Sequence, residues 1–381
     1  MNPFSPSKIV ASDKFVGRTQ ELKELELKLS SSKSERLLLL APRRFGKTSL
    51  LLKLISNLTK KKNFICIYMD IFACSSIDDF ANHLIESIIT SQNLSSLEKL
   101  SRWIKTNLSE LRGNLKIQTN LEGQISVEPV VYRSYNSAVK QIRDAFADMD
   151  KLGKSKQLIL FIDEFQTILD WDKKHQLEAE LRTITQKLDN VNIVFSGSHL
   201  RLLKDIFETS SRPFFKQVNK FYLDKIDPDT VAKWIESSFK KEKIKISEPV
   251  VRDIIDFSKN IPQQFQYICY EIWNKAKLND IETVDSKFLK NLIAELIIKK
   301  QSDFELLWSQ LTLSQKNVLE ALANKEDETG LYGKEFLIKQ GLTASTLQSC
   351  VNILEDKYLI VNYNKSVYIP DPLFEQWIIE K

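Results

Sequence analysis

The strongest chemical signal in the chain is the run Ala41-Pro42-Arg43-Arg44-Phe45-Gly46-Lys47-Thr48. It matches the phosphate-loop pattern G-x-x-x-x-G-K-[ST], except that Ala41 stands for the first glycine. A loop between strand and helix turns successive backbone N–H groups inward and forms a concave anion site. A helix opening near Gly46 adds unpaired N–H groups and the positive end of its dipole. Gly46 lets the backbone approach phosphates without a Cβ in the way, whereas Ala41 accepts most conformations but not a positive φ cheaply. Lys47 places a point charge on a β/γ-phosphate pair, and the Thr48 hydroxyl is suited to Mg²⁺. The plainer reading is a junction with two solvated basic residues and no ligand. Context weighs against it, because a buried-strand run precedes the loop and a helical stretch follows.

The second signal is Leu158-Ile159-Leu160-Phe161-Ile162-Asp163-Glu164. An apolar strand ending in two acids places carboxylates at the edge of the sheet where open α/β sheets bind ligands. Asp163 would hold Mg²⁺ directly or through water, and Glu164 would orient and deprotonate an attacking water. Alone, such a pair could simply cap the next helix. A further strand ends in Ser196-Gly197-Ser198-His199. There a short hydroxyl could lie between metal and γ-phosphate and hold the water, with Ser198 favoured and Ser196 second. A turn closing the strand is an equal alternative for either one.

These side chains need a sheet to position them. Arg36–Ala41, Phe64–Met69, Leu158–Ile162, Val191–Phe195 and Lys220–Leu223 are apolar runs of strand length, as expected for strands covered on both faces. Before the first strand Phe15–Leu29 reads as a loop followed by a short amphipathic helix, and between the strands lie helical stretches such as Lys47–Leu58. Alternating buried strands and helices predict a parallel sheet with crossover helices. The segment from about Asp70 to Lys156 exceeds a plain crossover. It reads as mostly helical, with a hairpin of Leu115–Gln118 and Gln124–Val127 around Glu122-Gly123. From Phe304 the pattern changes to helices opening at Ser314, over Gly333–Lys339 and over Ala344–Asp356. Tyr358–Val361 and Val367–Ile369 then flank a polar tip, which makes a winged-helix pattern. The expected division is an α/β ATPase core over 1–226 with an insertion over about 72–156, a helical lid over 227–303, and a winged-helix domain over 304–381.

Composition narrows the function classes. Of 381 residues, 43% are hydrophobic and 28% charged, which excludes wholesale disorder. A net charge of +5 permits nucleic-acid contact without predicting it. No apolar run nears the roughly 20 residues of a membrane span, and no signal peptide is expected from Met1–Pro6. Cys66, Cys74, Cys269 and Cys350 lack ligand spacing, as do His83, His175 and His199. Incidental thiols in a reducing cytosol are the expectation, and the localisation expected is cytoplasmic.

Several segments together resemble one family. Phe15-Val16-Gly17-Arg18-Thr19-Gln20-Glu21-Leu22 looks like the F-V-G-R-x-x-E-L box of AAA+-related ATPases. Pro42-Arg43-Arg44-Phe45-Gly46-Lys47-Thr48-Ser49-Leu50 resembles the phosphate loop of the archaeal-type ATPase family, close to the STAND class of P-loop NTPases. Asp163-Glu164-Phe165-Gln166, Phe195–Ser198 and Tyr368–Trp377 also fit it. The resemblance implies that Phe15, Val16, Gly17 and Arg18 lie beside adenine. It gives the phosphate side to Pro42, Arg43, Arg44, Phe45, Gly46, Lys47, Thr48 and Ser49. Asn260-Ile261-Pro262 is similar to the family's G-x-P lid element, which places Pro262 near the base and ribose. An arginine is missing at Gln263 and Gln264, and Gln217 stands where the family has another; Arg212 and Lys216 are possible substitutes, with Arg212 the candidate to supply charge to the transition state, in cis or to a neighbour.

The expected function is an Mg²⁺-dependent, ATP-binding ATPase that acts as a slow, nucleotide-driven switch. Its partners would be ATP or ADP together with a protein or a second copy. The alternatives are a DNA-binding regulator or mobile-element helper using ATP, and a scaffold that holds nucleotide without turnover. DNA is possible but not favoured, because Thr343–Ser349, the start of the would-be reading helix, has no Arg or Lys.

Overall fold

The computed structural model describes residues 2–6, 15–92, 103–104, 106–108, 110, 115–119, 125–129, 135–324, 337, 341–364 and 366–381, with backbone alone at 115–119, 125–129 and 135. The hairpin tip at Glu122-Gly123, most of the helix expected over Gly333–Lys339, and Lys365 of the wing lie outside the described residues. The chain divides into two compact units, one of residues 18–41 and 47–223, the other of 1–17, 42–46 and 224–381.

The first unit is built on a parallel sheet of five strands: β1 (Arg36–Leu40), β2 (Phe64–Asp70), β5 (Gln157–Asp163), β6 (Val191–Ser196) and β7 (Asn219–Tyr222), in the order β2-β5-β6-β1-β7. Every residue of β6, and every residue of β5 after Gln157, is buried. That is why these strands read as unbroken apolar runs rather than as alternations. Register sets Asp70 opposite Asp163 and Leu39 opposite Ser196, so the polar ends of β2, β5 and β6 share one edge. The two-stranded hairpin, β3 (Leu115–Thr119) and β4 (Ile125–Pro129), pairs Ile117 with Val127. Its alternating pattern marked it in the sequence.

Helices α1 (Thr19–Ser31), α2 (Lys47–Leu58), α3 (Ile77–Thr90), α4 (Tyr135–Gly153), α5 (Ile168–Trp171), α6 (Gln176–Thr185) and α7 (Leu200–Glu208) complete this unit. At the opposite end of the sheet, the wholly buried Asn192 accepts from Glu35 N–H (2.7 Å) and donates to Leu29 C=O (3.0 Å) and Ser32 C=O (2.9 Å). A polar side chain inside an apolar strand is tolerated there because each of its groups is bonded.

The second unit is mainly helical: α8 (Pro228–Lys241), α9 (Glu248–Phe257), α10 (Pro262–Leu278), α11 (Ser286–Ser309), α12 (Leu313–Ala323), α13 (Ala344–Asp356) and α14 (Pro372–Glu380). It also has the short parallel pair β8 (Lys245–Ile246) and β9 (Thr283–Val284) and the antiparallel wing β10 (Val361–Tyr363) and β11 (Ser366–Tyr368). One continuous apolar core takes in Phe4, Val16 and Ile226 and runs on through Val231 to Ile378, so the residues of the expected lid and winged helix share a single interior. Its densest part is aromatic. Phe374 stacks on Trp377 with centroids 5.9 Å apart, and Phe304 and Trp308 pack against that pair at 5.3–6.4 Å. Among the described residues no helix is long and apolar enough to cross a membrane. The four cysteines are buried and free.

Candidate active site

Asp163 is the last residue of β5 and only 1% exposed. Its carboxylate is held by four donors. Oδ2 accepts from Thr48 Oγ1 (2.9 Å) and Tyr68 Oη (3.1 Å), while Oδ1 accepts from the Ser196 hydroxyl and from Glu164 N–H (3.0 Å). A buried carboxylate costs much unless bonded in this way. Thr48 reaches it from the first turn of α2, which opens at Lys47. Burial, and then the charge of Asp163, raise the Tyr68 hydroxyl well above the ordinary phenol range, so it remains a donor. Burial also raises the neighbouring Asp70 carboxyl.

Glu164 ends the strand by turning left-handed, at φ 55°, and a 3-10 turn over Phe165–Thr167 follows. The Phe165 ring anchors that turn, 4.7 Å from Phe195, 5.7 Å from Phe207 and 5.9 Å from Phe214. The Glu164 carboxylate takes hydrogen bonds from Ser198 Oγ (2.8 Å), Ser198 N–H (3.1 Å) and Gln166 Nε2 (2.5 Å). The two serines therefore divide: Ser196 serves Asp163 and Ser198 serves Glu164. Lys47 is buried, and its Nζ donates to Ala41 C=O at 2.9 Å.

The phosphate loop itself has left-handed residues at Arg44 (φ 73°) and Gly46 (φ 83°), while Ala41 has no positive φ, so the missing first glycine strains nothing. Three consecutive loop side chains meet winged-helix residues within the second unit. The Arg43 guanidinium lies 4.6 Å over the Tyr358 ring, Arg44 is 3.8 Å from Asp371, and the Phe45 ring is 6.1 Å from Tyr363. Phe45 also lines a cavity of about 780 Å³ with Asn260, Tyr363, Tyr368 and Glu375.

Gly17 is left-handed at φ 64°, and a Cβ there would stand 2.7 Å from the Ile226 side chain. Phe15 is half-buried, Val16 belongs to the second unit's core, and Arg18, 5% exposed, pairs with Glu21 at 2.8 Å. Asn260 adopts φ 55° and bonds Ile226 C=O, and Pro262 opens α10. Ser49 is half-buried on the first turn of α2.

Arg212 does not join the carboxylate group. Its guanidinium, 7% exposed, is 2.6 Å from Glu178, beside His175 (2.9 Å) and 3.7 Å from Asp205. In this structure the expected finger is engaged by a buried carboxylate rather than directed at the Asp163–Glu164 cluster. The sequence reading gave no role to Tyr68, nor to Gln166, which it quoted only within the family motif. Tyr68 sits in an apolar run that reads as core. Gln166 had a signal, since it stands two residues after Glu164, but reach across a 3-10 turn is visible only once the turn is.

Thr48 and Asp163 present two hard oxygen ligands at one point, a donor set that fits Mg²⁺. The fold and this cluster define a parallel-sheet P-loop ATPase carrying a winged helix. A family model described as "ATPase domain predominantly from Archaea" matches residues 15–268, and one described as "Probable winged helix domain" matches residues 302–380. The chain belongs to this archaeal-type ATPase family, a family of ATP-binding proteins. No curated protein matches it. Among solved structures it is similar to a Walker-type ATPase of Pyrococcus abyssi, with a TM-score of 0.65 and 18% identity, covering 98% of this chain and 99% of that one. It is also similar to the ORC2 protein of Aeropyrum pernix, solved in ADPNP–ADP complexes, at 0.57 and 11%, covering 98% and 96%. At these identities the likeness is one of fold.

Proposed function

We propose that the protein is an Mg²⁺-dependent ATPase that works as a slow, nucleotide-driven switch. The observation that carries this reading is the 2.9 Å bond from Thr48 to Asp163, which joins the phosphate loop's hydroxyl to the strand-end acid. In this reading the N–H groups of Arg43–Gly46 and the Lys47 ammonium hold the β- and γ-phosphates, with Pro42 shaping the loop that presents them and Ser49 two residues beyond Lys47 on the same helix start. Phe15–Arg18 and Pro262 flank the base. Thr48 and Asp163 would hold Mg²⁺, which when bound neutralises charge on the phosphate oxygens. Glu164 takes a proton from water as the water oxygen bonds to the γ-phosphorus; the bond from that phosphorus to the bridging oxygen breaks, and ADP and phosphate leave. Gln217, Gln263 and Gln264 stand where the family carries arginines, and turnover without such a charge lacks a contribution worth about 10³ to 10⁵ in related chemistry, which suits a switch better than a motor.

The switch part rests on Arg43, Arg44 and Phe45, each in contact with a winged-helix residue. Phosphates that recruit the loop change what those residues hold. A protein partner or second copy is favoured over DNA, because α13 has no Arg or Lys along its length. The test is a pair of variants. Lys47→Ala is expected to abolish nucleotide binding in a fluorescent-ATP titration, while Glu164→Gln keeps binding and stops phosphate release. Full turnover by Glu164→Gln removes that residue from its role, and bound nucleotide with no wild-type turnover makes the protein a scaffold.

A further inference from the structure

We propose that Gln166 is a positioning residue, seated by the missing side chain of Gly197, that leaves one oxygen of the Glu164 carboxylate for the attacking water. The proposal rests on the ATPase reading above and deepens it. All three donors found on Glu164 converge on Oε2: Gln166 Nε2, Ser198 Oγ and Ser198 N–H. A carboxylate has about four acceptor sites over two oxygens, so three donors on one oxygen saturate it. The remaining capacity is on Oε1. A general base must present an oxygen with capacity to spare, in a fixed direction.

Gln166 itself is 7% exposed, and among the described residues its own Oε1 is buried with no hydrogen-bond partner. The amide cannot simply be flipped to relieve this, because the carboxylate requires N–H to face it. An acceptor buried without a donor is retained only where something over-determines it. That something is space and anchoring. A Cβ on Gly197 would stand 1.9 Å from Gln166 Oε1 and 3.1 Å from its Cδ, so any other residue there displaces the amide from this position. Gly197 has no positive φ, which makes it a glycine required by this side chain rather than by its backbone. From the other side, the left-handed Glu164 and the aromatic seat of Phe165 fix where the Glu164 side chain starts. The carboxylate is thereby held at both ends.

Two substitutions test this. Gln166→Met keeps the volume and removes the donor, and Gly197→Ala keeps the donor and displaces it. Each is expected to lower kcat at least tenfold while the Kd for a fluorescent ATP analogue stays within about twofold. The double variant should fall no further than the worse single one, because both act through one hydrogen bond. Parental kcat in Gln166→Met, or additive losses in the double variant, overturns the proposal. A second measurement needs no turnover. In ¹⁵N-edited spectra of the nucleotide-free protein, the Gln166 side-chain amide should shift on Glu164→Ala, and an unmoved amide also overturns the proposal. Failure of the ATPase reading shows separately, as an absence of wild-type phosphate release with the Gln166 amide still reporting its bond.

Discussion

At the scale of single residues, the informative contrast is between two buried acids. Asp163 has four donors and a place at the sheet edge, while Glu178 is buried beside Arg212, with His175 3.8 Å away and Asp172 and Asp205 near. Burial raises the Glu178 carboxyl from 4.5 to about 7, against the opposing pull of Arg212. The folded state then binds this proton more tightly than the unfolded chain. The stability so contributed is complete below pH 4.5 and is lost as pH rises through about 7. Melting temperature should therefore fall between about pH 5 and pH 8, and Glu178→Gln should flatten that fall. Arg212→Ala leaves a buried carboxyl without its partner, and a loss of about 3–5 kcal/mol in denaturant unfolding is expected. A change below about 1 kcal/mol would show that the pair does not hold the turn together. The acids of the site were legible as residues, since they follow an apolar run. The hydroxyls of Thr48, Ser196 and Ser198 were legible as candidates, but which acid each serves was not, and Tyr68 was missed, because strands far apart in sequence meet these acids only through register.

At the scale of elements, strands buried on both faces announce themselves as Leu37–Leu40 or Leu158–Ile162 do, by apolar residues without alternation. The winged-helix hairpin was legible for the opposite reason, as a polar stretch between two short β-prone runs, but the strands extend into the expected tip Asn362–Ser366, pairing Asn362 with Val367 and Tyr363 with Ser366. Asn192 interrupts the apolar pattern of β6, and its bonds to Leu29, Ser32 and Glu35 tie the end of α1 to the start of β1. Gln157 also donates to Leu29 C=O, so the group stranded by Asn192→Leu is chiefly the Glu35 N–H. The expected cost is about 1–3 kcal/mol by urea unfolding, with nucleotide affinity unchanged. A stabilised variant would mean that apolar packing outweighs the three bonds.

At the scale of the whole molecule, the phosphate loop is tied to the winged helix by contacts that are individually weak. Arg44 and Asp371 are each about a third exposed, and such a pair contributes about 0–1 kcal/mol. Weak contacts suit a switch, because a bound triphosphate can outcompete them. Hydrogen exchange with and without ATP should therefore change in residues 358–372, which hold Tyr358, Tyr363 and Asp371. Unchanged exchange there would sink the switch and leave the hydrolysis reading standing. Breaking Asp371 has a second effect, since its Oδ1 accepts from Leu373 and Phe374 N–H at the start of α14. Asp371→Ala should thus cost about 0.5–2 kcal/mol of stability through the lost cap, whatever nucleotide does.

By itself, the amino-acid order determined the phosphate loop, the acids after the third sheet strand, the strand runs and the winged-helix pattern, because each is encoded by residues adjacent in the chain. Tertiary structure alone decided the strand order, the division of labour between Ser196 and Ser198, the glycine demanded by Gln166, and the removal of Arg212 into an ion pair. These depend on which distant segments are brought within a few ångströms, and hydrogen-bonding reach is a property of space rather than of sequence.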